Sequence, residues 1–497
     1  VTVQTQAEGT VNLIGGARQL LPNYPIAFEP PVGFTGQVRV LTARQSTRAA
    51  GGDNTDLQPP PGLATFPELF QPLGIGSTRS TAPTGAVIEI EADAPARKSI
   101  TPETPLKINL NWEVEADTAG VLAVAYDGDF FYPVGRASGA VDTVPIEWLP
   151  APDAPEVQPV RSTRSLGRTL KLYLYKLAGQ TDVSLGLNQV QFVPTEALAA
   201  TTQPADPLIR RVPGGAVQYQ AISPQKLKAK ARVALVVHGF GSETTAIAAW
   251  LTSIWPQHGD QYDHVLAFDY ESFNTAIREN GHTLANRLRD LGFNEQDEYK
   301  LDVFAHSMGT LVTRSMVEIW GGDAFVDRCF LAGPPNQGTR LAEIKRLVPW
   351  LGTLLLNQVG YTPPALVVGW VLGKLDVDAV GPEDLRPTSH LIQELNNSTK
   401  QVKTPYFILA GDNRLTPEAK NAWERLRQKV MEGVDVGLDL IFGDQNDKVI
   451  GVKSMLGVRN GAYPANLLKV KEVTCDHFNY FVADESQAQL MAWIKEA

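Results

Sequence analysis

Residues 301–320 read LDVFAHSMGTLVTRSMVEIW. The first six are mostly apolar, as a strand buried on both faces would be, and from Thr310 onward the apolar positions recur at helical spacing. Ser307 therefore stands straight after a predicted strand and straight before a predicted helix. Ala305 lies two residues before it and Gly309 two residues after it, which suits a strand-turn-helix too tight for bulky side chains. Such an elbow lifts the serine hydroxyl above the sheet. It also sets the next backbone N–H, that of Met308, where a tetrahedral oxyanion would develop. Ala rather than Gly at the first position is a mild departure from the usual pattern. The competing reading of Ser307 is a buried serine that caps the helix.

Working outward, VALVVHGF from Val233, HVLAFDY from His264, DRCFLAG from Asp327, YFILAG from Tyr406 and LDLIFGD from Leu438 read as further strands. TAIRENGHTLANRLRDLG from Thr275 reads as an amphipathic helix between two of them. Strand and helix in alternation imply a mostly parallel sheet covered by helices.

A serine hydroxyl is a weak nucleophile, so it needs a base to take its proton and an acid to orient that base. On such a sheet these follow in the order Ser, Asp or Glu, His. Of the seven histidines only His390 and His477 lie beyond Ser307. His390, in PEDLRPTSHLIQELN, reads as a surface or packing residue of a helix. His477, in VTCDHFNYFV, falls in a loop between the last strand and the closing helix SQAQLMAWIK, and is the expected base. LIFGDQNDKVIGVKS offers two acids just past a strand end, where catalytic groups of such sheets collect. Asp447 is preferred to Asp444, and Asp476 reads as a solvated neighbour or a former of loop hydrogen bonds. An imidazole base implies activity that falls as pH drops through the histidine range, about 6.5 when unperturbed.

Up to about residue 195 the style differs. AVIEIEA near Ala86, LKINLNWEV near Leu106, GVLAVAYDGDFFYPV near Gly120 and TLKLYLYKL near Thr169 are short β-rich runs separated by Pro, Gly and Asp. LKINLNWEV alternates apolar and polar residues, and Asp127-Gly128 marks a hairpin. These runs predict an all-β, sandwich-like N-terminal domain over residues 1–200, holding the Pro-rich loop near Pro59. A linker with first strands follows at 201–230. An α/β domain occupies 231–497, with a cap at about 340–400. No arrangement of catalytic residues is visible in the first half.

The 497-residue chain carries 44 Lys and Arg against 54 Asp and Glu, a formal charge of −10, which argues against nucleic acid as a partner. Two cysteines exclude a disulfide-dense scaffold, and no histidine has HExxH or paired-ligand spacing, so neither metal nor cofactor is expected. The opening VTVQTQAEGTVNL lacks a basic region and an apolar core, as expected of a chain without a signal peptide or one already processed, and localisation stays open. Leu347–Gly373 is long and uncharged, but Asn357, Gln358 and Pro363-Pro364 interrupt it. Two short apolar helices are expected there rather than a transmembrane span.

VVHGF near Val236, FDYESFNTAIRENG near Phe268, AHSMGTLVTR, LAGPPNQGT near Leu331, DLRPTSHLIQELN and NDKVIGVKS together resemble the lipase branch of the α/β-hydrolase fold, as in bacterial triacylglycerol lipases and GPI inositol-deacylase-like lipases. The resemblance covers residues 231–497 only. It implies an oxyanion hole formed by the N–H groups of Phe240 and Met308, with His238 and Gly239 beside the substrate, although His238 reads more readily as a hydrogen-bonded structural residue. It also favours Asp447 as the acid. Leu347–Gly373 then falls where such enzymes carry a cap or lid, with Trp350 and Trp370 as candidate contacts to an acyl chain. The expected function is a serine ester hydrolase acting on apolar esters or lipids, with transient contact to a lipid interface. The alternatives are another acyl-transfer enzyme on the same residues (acyltransferase, thioesterase or amidase) and a non-catalytic binding module.

Overall fold

The computed structural model describes residues 2–46, 70–73, 86–110, 118–138, 142–152, 169–178, 185–198, 209–212, 214–224, 227, 230–258, 262–295, 299–344, 347–357, 380–413, 426, 429–430 and 445–496. The chain divides into two compact units. One comprises residues 1–180, 348–375 and 418–433, and the other residues 181–347, 376–417 and 434–497.

The first unit is built on eleven strands: β1 (Thr2–Ile14), β2 (Gln19–Leu20), β3 (Ile26–Glu29), β4 (Thr35–Ser46), β5 (Phe70–Pro72), β6 (Ala86–Ala92), β7 (Leu106–Leu110), β8 (Thr118–Tyr126), β9 (Phe131–Ser138), β10 (Thr143–Ile146) and β11 (Thr169–Ala178). They form two antiparallel sheets, β1-β4-β6-β11-β8-β9 with β5 added on β11, and β10-β7-β3-β2. Alternation sets the faces: along β7, Leu106, Ile108 and Leu110 are buried while Lys107 is exposed. The hairpin β8–β9 turns at Asp127-Gly128. Its Asp127 carboxylate accepts the N–H groups of Asp129 and Phe130, Gly128 takes φ +111°, and Lys429 pairs with Asp127 at 2.5 Å. The helix Leu347–Leu356 also belongs here from Val348 onward. Asn357, at its end, bonds both the N–H and the C=O of Phe131, at 2.8 and 2.7 Å. Gln358, Pro363 and the rest of the apolar stretch lie outside the described residues, as do the region near Pro59 and the strand expected from Leu438. Among the described residues no helix is long and apolar enough to cross a membrane.

The second unit holds β12 (Gly186–Pro194), β13 (Ile209–Val212), β14 (Gly215–Ala221), β15 (Arg232–Val237), β16 (His264–Asp269), β17 (Lys300–His306), β18 (Arg328–Ala332), β19 (Tyr406–Gly411) and β20 (Leu468–Val473). Their order is β13-β14-β12-β16-β15-β17-β18-β19-β20. The six strands from β16 to β20 run parallel, as expected from the alternating sequence. β12, β13 and β14 pair antiparallel at the other side, so the sheet is mixed. β12 precedes residue 200 in sequence yet lies between β14 and β16 in space. Central β16 and β19 are buried at every position, whereas edge strand β20 exposes Lys469, Val470, Lys471 and Glu472, which is why its sequence is charged.

Register brings the strand ends level. Phe304 lies opposite Phe330, and Phe330 opposite Phe407, with ring centroids 4.6 and 5.0 Å apart. Trp493 of the closing helix Asp484–Lys495 packs on Phe407 at 5.5 Å. The loops that leave the ends of β15, β17, β19 and β20 therefore start from the same end of the sheet, with Phe240 after β15, Ser307 after β17, Asp447 beyond β19 and His477 after β20.

Candidate active site

Ser307 follows β17 with φ 52° and ψ −126°, a positive-φ conformation that a non-glycine residue holds only under constraint from its surroundings. The constraint is visible. Ser307 N–H donates to Ala332 O at 2.9 Å, and its carbonyl accepts from Thr310 Oγ1 at 2.6 Å. A side chain at Gly309 would put its Cβ 2.1 Å from His238 O, so the turn closes only with glycine there. The helix Met308–Arg314 starts at once. Ser307 makes no side-chain capping bond to it, which removes the capping reading.

The hydroxyl instead meets an imidazole. Ser307 Oγ lies 2.8 Å from His477 Nε2, and His477 Nδ1 lies 2.7 Å from Asp447 Oδ2. A carboxylate accepts only, so Nδ1 carries the proton, and Nε2 is left with the lone pair that accepts from the serine. Asp447 is fully buried. Its Oδ1 accepts the N–H groups of Val449 and Ile450 at 3.0 and 2.7 Å, an Asx-type turn that aims Oδ2 outward. The two loops are tied along the backbone, since His477 N–H donates to Asp447 O at 2.8 Å. Asp476, which the sequence placed among solvated or loop-bonding residues, is buried and pairs with Lys448 at 3.2 Å while accepting Phe478 N–H. It links the residue after the acid to the residue before the imidazole.

Two further residues had no reading in the sequence. His306 is half-buried, and desolvation of its ring followed by the neighbouring His477 pushes its pKa down to about 3. As a neutral ring it donates from Nε2 to His477 O at 2.7 Å. Tyr480 donates to Asp447 Oδ2 at 2.8 Å. The signal for His306 was its place beside the elbow serine. For Tyr480 there was only its short distance from His477.

On the other side of Ser307, β15 ends in His238-Gly239-Phe240. His238 is 1% exposed, and its ring stacks on Tyr270 with centroids 4.1 Å apart. Nε2 accepts Tyr270 N–H at 3.1 Å and Nδ1 donates to Gly239 O at 2.7 Å, so both nitrogens serve the loop itself. Burial lowers the His238 pKa, consistent with this neutral form. Because the C=O and N–H of one peptide point opposite ways, holding Gly239 O aims Phe240 N–H away from His238. A Cβ on Gly239 would lie 2.9 Å from Ser307 Cβ, so the backbone runs directly against the serine. Met308 is the first residue of its helix, where N–H groups lack intrahelical acceptors. Behind this loop lies a buried group of charges, with Thr244 N–H and hydroxyl bonded to Asp269 and Glu243 beside Arg210 at 3.7 Å.

Trp350 is fully buried and belongs to the β-rich unit. Trp370 and Asp444 lie outside the described residues. His390 opens the helix His390–Asn396, with its side chain 87% exposed. Among the described residues no cluster of His, Cys, Asp and Glu is arranged to hold a metal ion.

A mixed sheet, parallel over six of its nine strands, carries at its strand ends a serine, an imidazole and a carboxylate joined in one hydrogen-bonded chain. Residues 214–495, more than half of the chain, match the family model described as "Domain of unknown function (DUF7379)", and the chain belongs to that family. No curated protein matches it in sequence. Among solved structures it is similar to the mature form of the Bacillus licheniformis lipase BlEst2, at 16% identity over 55% of this chain and 96% of that one, TM-score 0.36. It is similar to EstA from Clostridium botulinum at 14% identity, covering 61% of this chain and 94% of that one, TM-score 0.34. Its similarity to the phospholipase PlaB from Legionella pneumophila is 17% identity over 45% of each chain, TM-score 0.32.

Proposed function

We propose that this protein is a serine ester hydrolase, a carboxylesterase or lipase with an α/β-hydrolase-type catalytic unit, that cleaves apolar acyl esters through an acyl-enzyme. The observation that carries the reading is the pair of short bonds from Ser307 Oγ to His477 Nε2 and from His477 Nδ1 to Asp447 Oδ2. In this reading His477 Nε2 takes the proton of Ser307 as Oγ attacks the ester carbonyl. Negative charge on the carbonyl oxygen is met by the N–H groups of Met308 and Phe240. The imidazolium, held by Asp447, then gives its proton to the leaving alkoxide. Water repeats the sequence on the acyl-serine, releasing acid and restoring Ser307.

The test is a fluorophosphonate probe together with p-nitrophenyl esters of increasing chain length. We expect stoichiometric labelling of the wild-type chain, none of Ser307→Ala, and turnover that rises with acyl length from acetate to octanoate. Equal labelling of both proteins would remove Ser307 from the reaction, and an inert wild type would point to a binding module.

A further inference from the structure

Tyr480 stands three residues after His477 and is fully buried. Its hydroxyl accepts Gly411 N–H at 2.8 Å and donates to Asp447 Oδ2 at 2.8 Å, the same oxygen that receives His477 Nδ1–H. The ring occupies a slot made by two missing side chains. A Cβ on Gly333 would come 2.7 Å from the ring, and one on Gly411 would come 2.5 Å from the hydroxyl. These glycines end segments of identical sequence on neighbouring parallel strands, Leu331-Ala332-Gly333 at the end of β18 and Leu409-Ala410-Gly411 at the end of β19. Gly333 has φ +58°, so a larger residue would be strained there as well as crowded.

We infer that Tyr480 is a positioning residue of the proposed relay, whose hydroxyl shares the charge of Asp447 Oδ2 and thereby sets how strongly that carboxylate holds the imidazolium. The inference rests on the catalytic reading of Ser307, His477 and Asp447. A carboxylate oxygen that accepts two strong donors binds each less tightly than it would bind one. The phenol keeps its proton and stays a donor, because burial and then the charge of Asp447 raise its pKa well above 10. The other titratable groups facing this carboxylate and ring are His306, held neutral and 5.9 Å from the Tyr480 ring, and Cys475, whose thiol burial pushes upward. The Lys448–Asp476 ion pair joins the same two loops.

The experiment compares wild type with Tyr480→Phe, which keeps the ring and deletes the donor. Three readings are taken: the pH profile of kcat/KM on p-nitrophenyl butyrate, the low-field proton resonance of His477 Nδ1–H, and the same substitution in an Asp447→Asn background. Without the phenol the carboxylate grips the imidazolium more firmly. The acid limb of activity should therefore move to higher pH, with a loss of roughly tenfold at pH 6 that shrinks toward pH 8. The resonance should move downfield, and in the Asp447→Asn background the substitution should change the rate by less than about twofold. An unmoved limb and resonance, or one constant loss at every pH in both backgrounds, would overturn the inference and leave Tyr480 a packing residue. Should Tyr480→Phe not fold, 3-fluorotyrosine placed at position 480 is a stronger donor of nearly the same shape, and must move limb and resonance the opposite way. A wild-type protein that neither hydrolyses ester nor takes up fluorophosphonate would defeat the catalytic reading instead. The resonance needs no substrate and would still decide whether Tyr480 loads Asp447.

Discussion

Ser307 is held in a backbone conformation that costs about 1–3 kcal/mol for a non-glycine residue, and the neighbours that hold it also define what it touches. If Ser307 and His477 act as one unit, Ser307→Ala and His477→Ala should each lower ester turnover by roughly three orders of magnitude or more, and the double variant should be no worse than either. Multiplied losses in single-turnover kinetics would separate the two residues. Asp447→Asn should be nearly as damaging, because the amide offers Nδ1 the wrong partner. A second residue-scale effect concerns stability. Burial, followed by the charge of Asp269, raises the Glu243 pKa to about 8, from about 4.5 in the unfolded chain. Between those values the folded state holds a proton that the unfolded state has released. The resulting stability is complete below about pH 4.5, declines as pH rises through that window and is gone above about pH 8. Glu243→Gln, which mimics the protonated form, should therefore gain on the order of 3 kcal/mol over wild type at pH 9 and almost nothing at pH 4.5, measured by urea unfolding. An equal difference at both values would place Glu243 outside this linkage.

At the scale of elements, the segment after the elbow is not the single α-helix its periodicity predicts. It runs as α-helix over Met308–Arg314 and then widens into a π-turn over Ser315–Ile319. The neighbouring helix Ile277–Asp290 approaches closely here, since a Cβ on Gly281 would lie 2.5 Å from Ser315 Oγ. The π-turn delivers Glu318 into the interior, where its carboxylate binds Arg314 at 2.7 Å, Arg459 at 2.8 Å and the Tyr406 hydroxyl at 3.1 Å. Glu318 and Arg314 side chains are at most 1% exposed and that of Arg459 is 6% exposed, so both guanidiniums stay buried if the carboxylate is removed. Glu318→Ala should cost about 3–5 kcal/mol by leaving two buried cations without their anion. Thermal or chemical unfolding checks this, and a loss under about 1 kcal/mol would mean that the arginines find other partners.

At the scale of the whole molecule, strands and sequence halves do not coincide. A fragment beginning at residue 205 lacks β12, which pairs with both β14 and β16, and so loses a strand from within the nine-stranded sheet. One beginning at Thr181 keeps all nine. Cooperative thermal unfolding is expected for residues 181–497 and not for residues 205–497, as followed by circular dichroism and size exclusion. Equal behaviour of the two fragments would show that β12 is dispensable. Segments 348–375 and 418–433 group with the β-rich unit despite their place late in the chain, so the longer fragment should also be less soluble than the full protein.

Local patterns were enough to read the parallel strands from VALVVHGF to YFILAG, the elbow at Ser307 and the ordering that points to His477. Each depends on short-range rules: apolar runs for strands buried on both faces, small residues flanking a tight turn, and chain order along a sheet. The same rules left open whether Ser307 caps its helix, and they were silent on His306, Tyr480 and the Lys448–Asp476 pair. Those relations join residues that sit in separate loops. His306 meets the carbonyl of a residue 171 positions away, and Tyr480 meets a carboxylate 33 positions away. Nothing in a one-dimensional pattern encodes which loop ends converge. That was decided by the parallel register of β17, β18, β19 and β20, which levels four strand ends, and by the glycines that leave room between them.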